Sequence, residues 1–157
     1  LSRGCLDESV AEVQRFGLER VETGGFYLAS NERPRELVVV ALAREHGIER
    51  HALQFTMSGI ALSRLFEWAA DQDLRVVAQF HSHASTAFLS VVDRDHGLSV
   101  RDFTTTVIPT FANPPGEPAV WGWWRFDGQA WIVVPPPAVV DLRTRRVEFD
   151  ESGIYER

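Results

Sequence analysis

Leu74-Arg-Val-Val-Ala-Gln-Phe-His-Ser-His83, followed by Ala84-Ser-Thr-Ala-Phe-Leu-Ser-Val-Val-Asp93, is the stretch from which the rest of the chain is read. Its first half is apolar and β-branched at the centre, which predicts a buried strand over 74–83. Side chains alternate along a strand, so His81 and His83 leave one face while Phe80 and Ser82 leave the other. Two imidazoles then emerge side by side at the end of a core strand. With the carboxylate of Asp93 they make a three-ligand zinc set with a fourth position open, the pattern of a hydrolytic centre rather than a structural one. A His-x-His pair alone is weak support, since strand histidines are often just polar surface. The segment from Ser90 to about Asp102 predicts a short helix. Ser90 and Asp93 then share a helical face and aim at whatever the strand end presents. Ser-x-x-Asp is equally a helix-capping arrangement, and a cap can also hold a ligand-bearing helix in place.

Upstream, Asp7 to about Phe16 predicts a helix, with Val10, Val13 and Phe16 at helical spacing and Gly17 as its stop. Gly24–Ser30 and Leu37–Arg44 predict strands joined by a turn over 31–35 that contains Pro34. A further strand is expected over 51–57. Ser58–Asp71 predicts an amphipathic helix capped by Ser58, with Leu62, Leu65, Phe66 and Ala69 on its apolar face. Downstream, 104–110, 119–126 and 130–134 read as strands, the last two joined as a hairpin across Asp127-Gly128. Pro135–Pro137 interrupts, and 139–149 predicts edge strands. Trp121 and Trp123 fall on one face of their strand and Trp124 on the other, a packing pattern first and a partner-binding patch second. This order predicts an α/β fold with a mixed central sheet flanked by helices.

The 157 residues predict a single domain over 1–157, and 45% hydrophobic residues are enough to fill its core. Net charge is -6, and the only locally basic stretch is Arg143–Arg146, so nucleic acid is not expected as a partner. Cys5 is the only cysteine, which excludes an internal disulfide and fits a reducing, cytoplasmic setting. No stretch reaches the ~20 apolar residues of a membrane span. The opening residues lack the basic region and apolar run of a signal peptide. Leu1 stands where an initiator methionine would, so it reads as a boundary set by processing or cloning.

A catalytic base is needed beside such a zinc set, because a positioned carboxylate shuttles the protons. Glu22 precedes Thr23-Gly24-Gly25-Phe26 at the entrance to the first strand, where paired glycines permit close backbone approach. Glu-Thr-Gly-Gly near the start, then His-Ser-His and Ser-x-x-Asp after a helix and a strand, resembles the JAMM (JAB/MPN+) zinc metalloprotease family, in its compact prokaryotic form. The order of elements carries the resemblance over about residues 7–134, and its specific signal lies in 22–25 and 81–93.

The resemblance implies a zinc-dependent isopeptidase or peptidase that cleaves after the C-terminal tail of a ubiquitin-like protein. His81, His83 and Asp93 would hold one zinc ion. Glu22 would take a proton from the attacking water and pass it to the leaving amine. Ser90 would donate a hydrogen bond to the oxyanion. Implied partners are a ubiquitin-like or sulfur-carrier protein and E1- and E2-like proteins of the same operon, in some cases an antiphage one. The chain departs from the family pattern in two places. The spacer Ala84–Leu89 is one residue shorter than usual, and Ala84 replaces the usual proline. Asp95 and His96 are rival ligands that do not lie three residues after a serine. His46 and His51 read as polar surface. Two other readings stay open: a non-catalytic MPN-type scaffold, and a peptidase for small substrates. A zinc deaminase would need His-x-Glu and Cys-x-x-Cys, which the chain lacks.

Overall fold

The computed structural model describes residues 1–156, without the side chain of His96. Its elements are α1 (Arg3–Leu18), β1 (Gly24–Ser30), β2 (Val39–Ala43), β3 (Ile48–His51), β4 (Gln54–Met57), α2 (Gly59–Asp71), β5 (Leu74–Ser82), α3 (Val91–His96), β6 (Thr104–Ile108), β7 (Gly122–Phe126), β8 (Trp131–Val133), β9 (Arg145–Asp150) and β10 (Gly153–Glu156). Eight strands form one mixed sheet in the order β10-β9-β2-β1-β5-β6-β7-β8, and β3 with β4 forms a separate ribbon. The expected α/β architecture is present.

Burial is set by the two faces of β1. Tyr27 and Ala29 face α1 with Val40, Leu42 and Phe80, while Phe26 and Leu28 face α2 with Ala41, Leu65 and Phe149. Helices therefore cover both sides of the sheet, which explains why β1 and β2 are apolar without alternation. β5 pairs antiparallel with β1 and parallel with β6. The parallel pairing requires a crossover, and that crossover carries the Ser90–Asp93 segment.

Several expectations need correction. The first helix begins at Arg3, capped by the Ser2 side chain, and runs through Gly17 rather than stopping there. Gly17 serves close approach instead, because a Cβ would lie 2.0 Å from the Phe111 carbonyl oxygen. The strand expected over 51–57 is a hairpin of two strands with its turn at Ala52-Leu53. Leu65 and Ala69 are buried as expected, joined by Ala61, whereas Phe66 is 41% exposed. The third helix ends at His96, well short of Asp102, because Gly97 takes extended backbone. Residues 118–120 form a 3-10 turn rather than the start of a strand, yet Trp121 and Trp123 still stack, 6.0 Å apart, and are buried. β9 is not at the edge. It pairs parallel with β2, and β10, which the sequence reading did not reach, takes the edge.

Candidate metal centre

β5 ends where the expectations placed the two histidines. His81 and His83 are 5% and 6% exposed, and their rings lie 5.0 Å apart. α3 delivers the carboxylate. Asp93 Oδ1 lies 3.2 Å from His81 Nε2, and Asp93 Oδ2 lies 3.5 Å from His83 Nε2. The three residues offer ligand atoms that all lie within 4.8 Å of one another. Ligands of a tetrahedral zinc at ~2.0–2.1 Å stand ~3.3 Å apart, so these separations suit one shared ion.

Hydrogen bonding supports the same fit. His81 Nε2 and His83 Nδ1 are buried with no hydrogen-bond partner. The nearest group to His81 Nε2 is the Asp93 carboxylate, at 3.2 Å. Buried polar atoms left orphaned are uncommon, and an ion shared with Asp93 would satisfy His81 Nε2. The residues present therefore fit a zinc ion, with two imidazoles and a carboxylate as donors.

Ser90 caps α3. Its Oγ accepts from the Asp93 N–H at 3.1 Å, and its own N–H donates to Asp93 Oδ2 at 2.8 Å, a reciprocal capping box. The cap fixes Asp93 with Oδ1 turned to His81 and Oδ2 to His83. Its role as acceptor leaves the Ser90 hydroxyl proton free to donate elsewhere. The shorter spacer does not prevent Asp93 from reaching both rings.

Glu22 arrives from the other side. Gly24 is opposite His81 in the β1–β5 register, Thr23 N–H and C=O bond Ser82, and Glu22 just before them is near enough to feel the charges of His83 and Asp93. Cross-strand partners project to one face. Gly24 lets the Phe55 ring pack closely on that face. A Cβ there would lie 2.3 Å from the Phe80 carbonyl oxygen and 2.7 Å from the Phe55 ring. Glu22 is 5% exposed, and burial pushes its carboxyl up to about 7, opposed by the charge of His83 and reinforced by Asp93. For Asp93 burial acts upward too, but contacts with His81, His83 and Ser90 outweigh it and hold the carboxyl far below the usual range. Burial disfavours the charged form of His83, yet its contact with Asp93 and the nearby Glu22 raise its pKa overall. Two carboxyl groups in one site are thus driven apart, the arrangement that separates a base from a permanent anion.

His81, His83 and Asp93 come together, Ser90 caps the helix that carries Asp93, and Glu22 lies close enough for His83 and Asp93 to act on its charge. Asp95 is exposed and outside the cluster, and the side chain of His96 lies outside the described residues. His46 is exposed beside Asp150, and His51 is exposed near Glu49. Beyond the metal set, a small cleft of about 60 Å³ runs past His81 and Asp93 between the ribbon residues Phe55 and Thr56 and the α3 side at Val92 and Leu98. Gln79 and Thr105 line it too, with Trp131 from β8. Alternation along β5 could have identified Gln79, two residues before His81. No local pattern marks Trp131, Phe55 or Thr105.

No protein-family model matches the chain. Two solved structures are similar over most of it. A protein of Desulfitobacterium hafniense, solved in solution, superposes with a TM-score of 0.65 at 14% identity, covering 91% of this chain and 93% of that one. A JAB1/MPN domain protein from Archaeoglobus fulgidus superposes with a TM-score of 0.47 at 16% identity, covering 89% of this chain and 97% of that one. The second overlap is too loose to argue from. The first establishes a shared fold and no activity: the chain has the mixed α/β fold of the Desulfitobacterium hafniense protein.

Proposed function

We propose that the chain is a JAMM-type zinc metallopeptidase that cleaves after the C-terminal tail of a ubiquitin-like protein. The observation that carries this reading is the convergence of His81, His83 and Asp93 within 4.8 Å, with buried ring nitrogens unpartnered. The zinc ion these residues would hold supplies Lewis acidity, which acidifies water and polarises a carbonyl. Glu22 accepts the proton of the attacking water on its carboxylate and hands it to the departing amine. A carboxyl near 7 suits both transfers at neutral pH. Ser90 keeps Asp93 oriented through the cap and donates its hydroxyl proton to the oxyanion of the tetrahedral intermediate.

The substrate class rests on the cleft and on the motif resemblance. β4 pairs only with β3 among the described strands, so it keeps a free edge beside the cleft. An extended tail can add there as a strand. Glycines suit such a tail because the metal set is recessed. The partners we infer are a ubiquitin-like protein and, in an operon, its E1- and E2-like enzymes, with a cytoplasmic setting. Among the described residues no helix is long and apolar enough to cross a membrane.

The test uses a ubiquitin-like protein of the same genome fused through its C-terminus to a reporter. Release of the reporter is expected with zinc. It is expected to stop with chelator, return with zinc and be absent for Glu22→Ala. Equal release by Glu22→Ala removes Glu22 as base, and no release from any such fusion by zinc-loaded protein removes this substrate class.

A further inference from the structure

Arg50 is a large cation in a place where the proposed chemistry does not use it. It leaves β3 on the α1 side of the sheet, half-buried, with its guanidinium among acceptors from two segments. Nε donates to Thr23 Oγ1 at 3.0 Å, Nη1 to the Arg44 carbonyl at 2.6 Å and Nη2 to the Ala43 carbonyl at 2.5 Å. The Phe16 ring lies 3.9 Å beneath the guanidinium carbon and fixes the plane of the fork. Burial works against the charge, and the nearby Glu12 supports it.

Thr23, fully buried, is the residue after Glu22. Its N–H donates to Ser82 Oγ at 3.0 Å, and its carbonyl accepts from the Ser82 N–H at 2.9 Å. The Glu22 N–H donates to the His51 carbonyl at 2.8 Å, and His51 is the residue after Arg50. Glu22 is thus tethered on one side by the ribbon backbone and on the other by a threonine that Arg50 and Ser82 hold.

We propose that Arg50 is a positioning residue: through Thr23 Oγ1 and the adjoining His51 carbonyl it fixes the Glu22 carboxylate over the His81–His83–Asp93 set. This role rests on the reading of Glu22 as base. The carboxylate is only a few bonds from the tethered backbone, so rotation of that one peptide moves it by ångströms. Arg50 touches no reacting atom. It joins the ribbon that walls the cleft to the strand that carries the base.

The test uses Arg50→Gln and the near-isosteric Thr23→Val in the zinc-loaded chain. Since a misplacement of ~1 Å costs up to ~100-fold in rate, Arg50→Gln is expected to lower kcat by about 10- to 100-fold. KM should stay within about twofold and zinc content should not change. In a Glu22→Gln background Arg50→Gln should cost nothing further. An unchanged kcat, or losses that multiply in the double variant, overturns the proposal.

Amide exchange gives a readout independent of activity. Exchange at Glu22 and Thr23 should accelerate about tenfold or more in Arg50→Gln while Val107 in β6 keeps its protection. Unchanged exchange at 22 and 23 overturns the clamp. If Val107 loses protection as well, Arg50→Gln has unfolded the chain, and Thr23→Val, which removes one acceptor, decides by the same two measurements. A wild type that binds zinc but cleaves no fusion sinks the functional reading, and the exchange result still decides the clamp.

Discussion

The two faces of the central sheet each bury a polar cluster, and the clusters are built on opposite terms. On the α1 side, the Tyr27 hydroxyl donates to Ser9 Oγ at 2.7 Å, and Ser9 Oγ donates to the Cys5 carbonyl at 2.8 Å. Burial pushes the Cys5 thiol up to about 11, so it stays protonated and inert near neutral pH. On the α2 side, His81 Nε2 meets only the Asp93 carboxylate, and His83 Nδ1 is buried without a hydrogen-bond partner. The clusters are similarly buried, but only the second keeps unmet capacity. A satisfied cluster holds the fold, and an unsatisfied one awaits a ligand.

That contrast breaks first at the metal. His81→Ala and Asp93→Asn each remove one donor of a set whose total binding energy is about 10–16 kcal/mol in comparable zinc sites. Each is expected to cut zinc affinity by roughly 100-fold or more, read by competition with a chromophoric chelator. Tyr27→Phe should leave affinity unchanged. A wild-type affinity in Asp93→Asn would remove Asp93 from the ligand set.

Ser90 belongs to both categories, and substitution separates its roles. Ser90→Ala loses the cap, about 1 kcal/mol of stability, whereas Ser90→Gly loses only a few tenths. Both lose the hydroxyl donor, so cleavage should fall about 100- to 1000-fold in each. Thermal melts and kcat measured together check this. If Ser90→Gly keeps wild-type kcat, the serine is a cap and nothing more.

The smallest effect is expected on the satisfied side. Tyr27→Phe leaves Ser9 bonded to Cys5 and removes one hydrogen bond, about 1 kcal/mol in a denaturant titration. Zinc content and cleavage should not respond. A change in either would mean that the α1 face is coupled to the metal through the sheet.

Much of the candidate site was legible because its signals are short-range. Alternation along 74–83 places His81 and His83 together whatever the strand pairs with. The Ser90–Asp93 spacing is a helix-cap pattern, and a cap is what forms. The misreadings share another cause. Gly17 looked like a helix stop until its contact with the Phe111 carbonyl was known. Phe66 fitted the helical period but lies beyond the covered face of α2, 41% exposed. The parallel β2–β9 pairing joins segments about a hundred residues apart, and no local pattern encodes such a partner.

By itself the sequence determined the local order: which residues alternate, which cap, and that two imidazoles and a carboxylate lie on adjoining elements. Only the tertiary structure decided that Glu22 comes near His83 and Asp93, that the β3–β4 ribbon walls the cleft, and that Arg50 bonds Thr23 beside Glu22. The physical reason is register. Pairing Gly24 with His81 costs chain entropy across the intervening loop and is repaid by packing on both faces of β1, which no short window of residues contains.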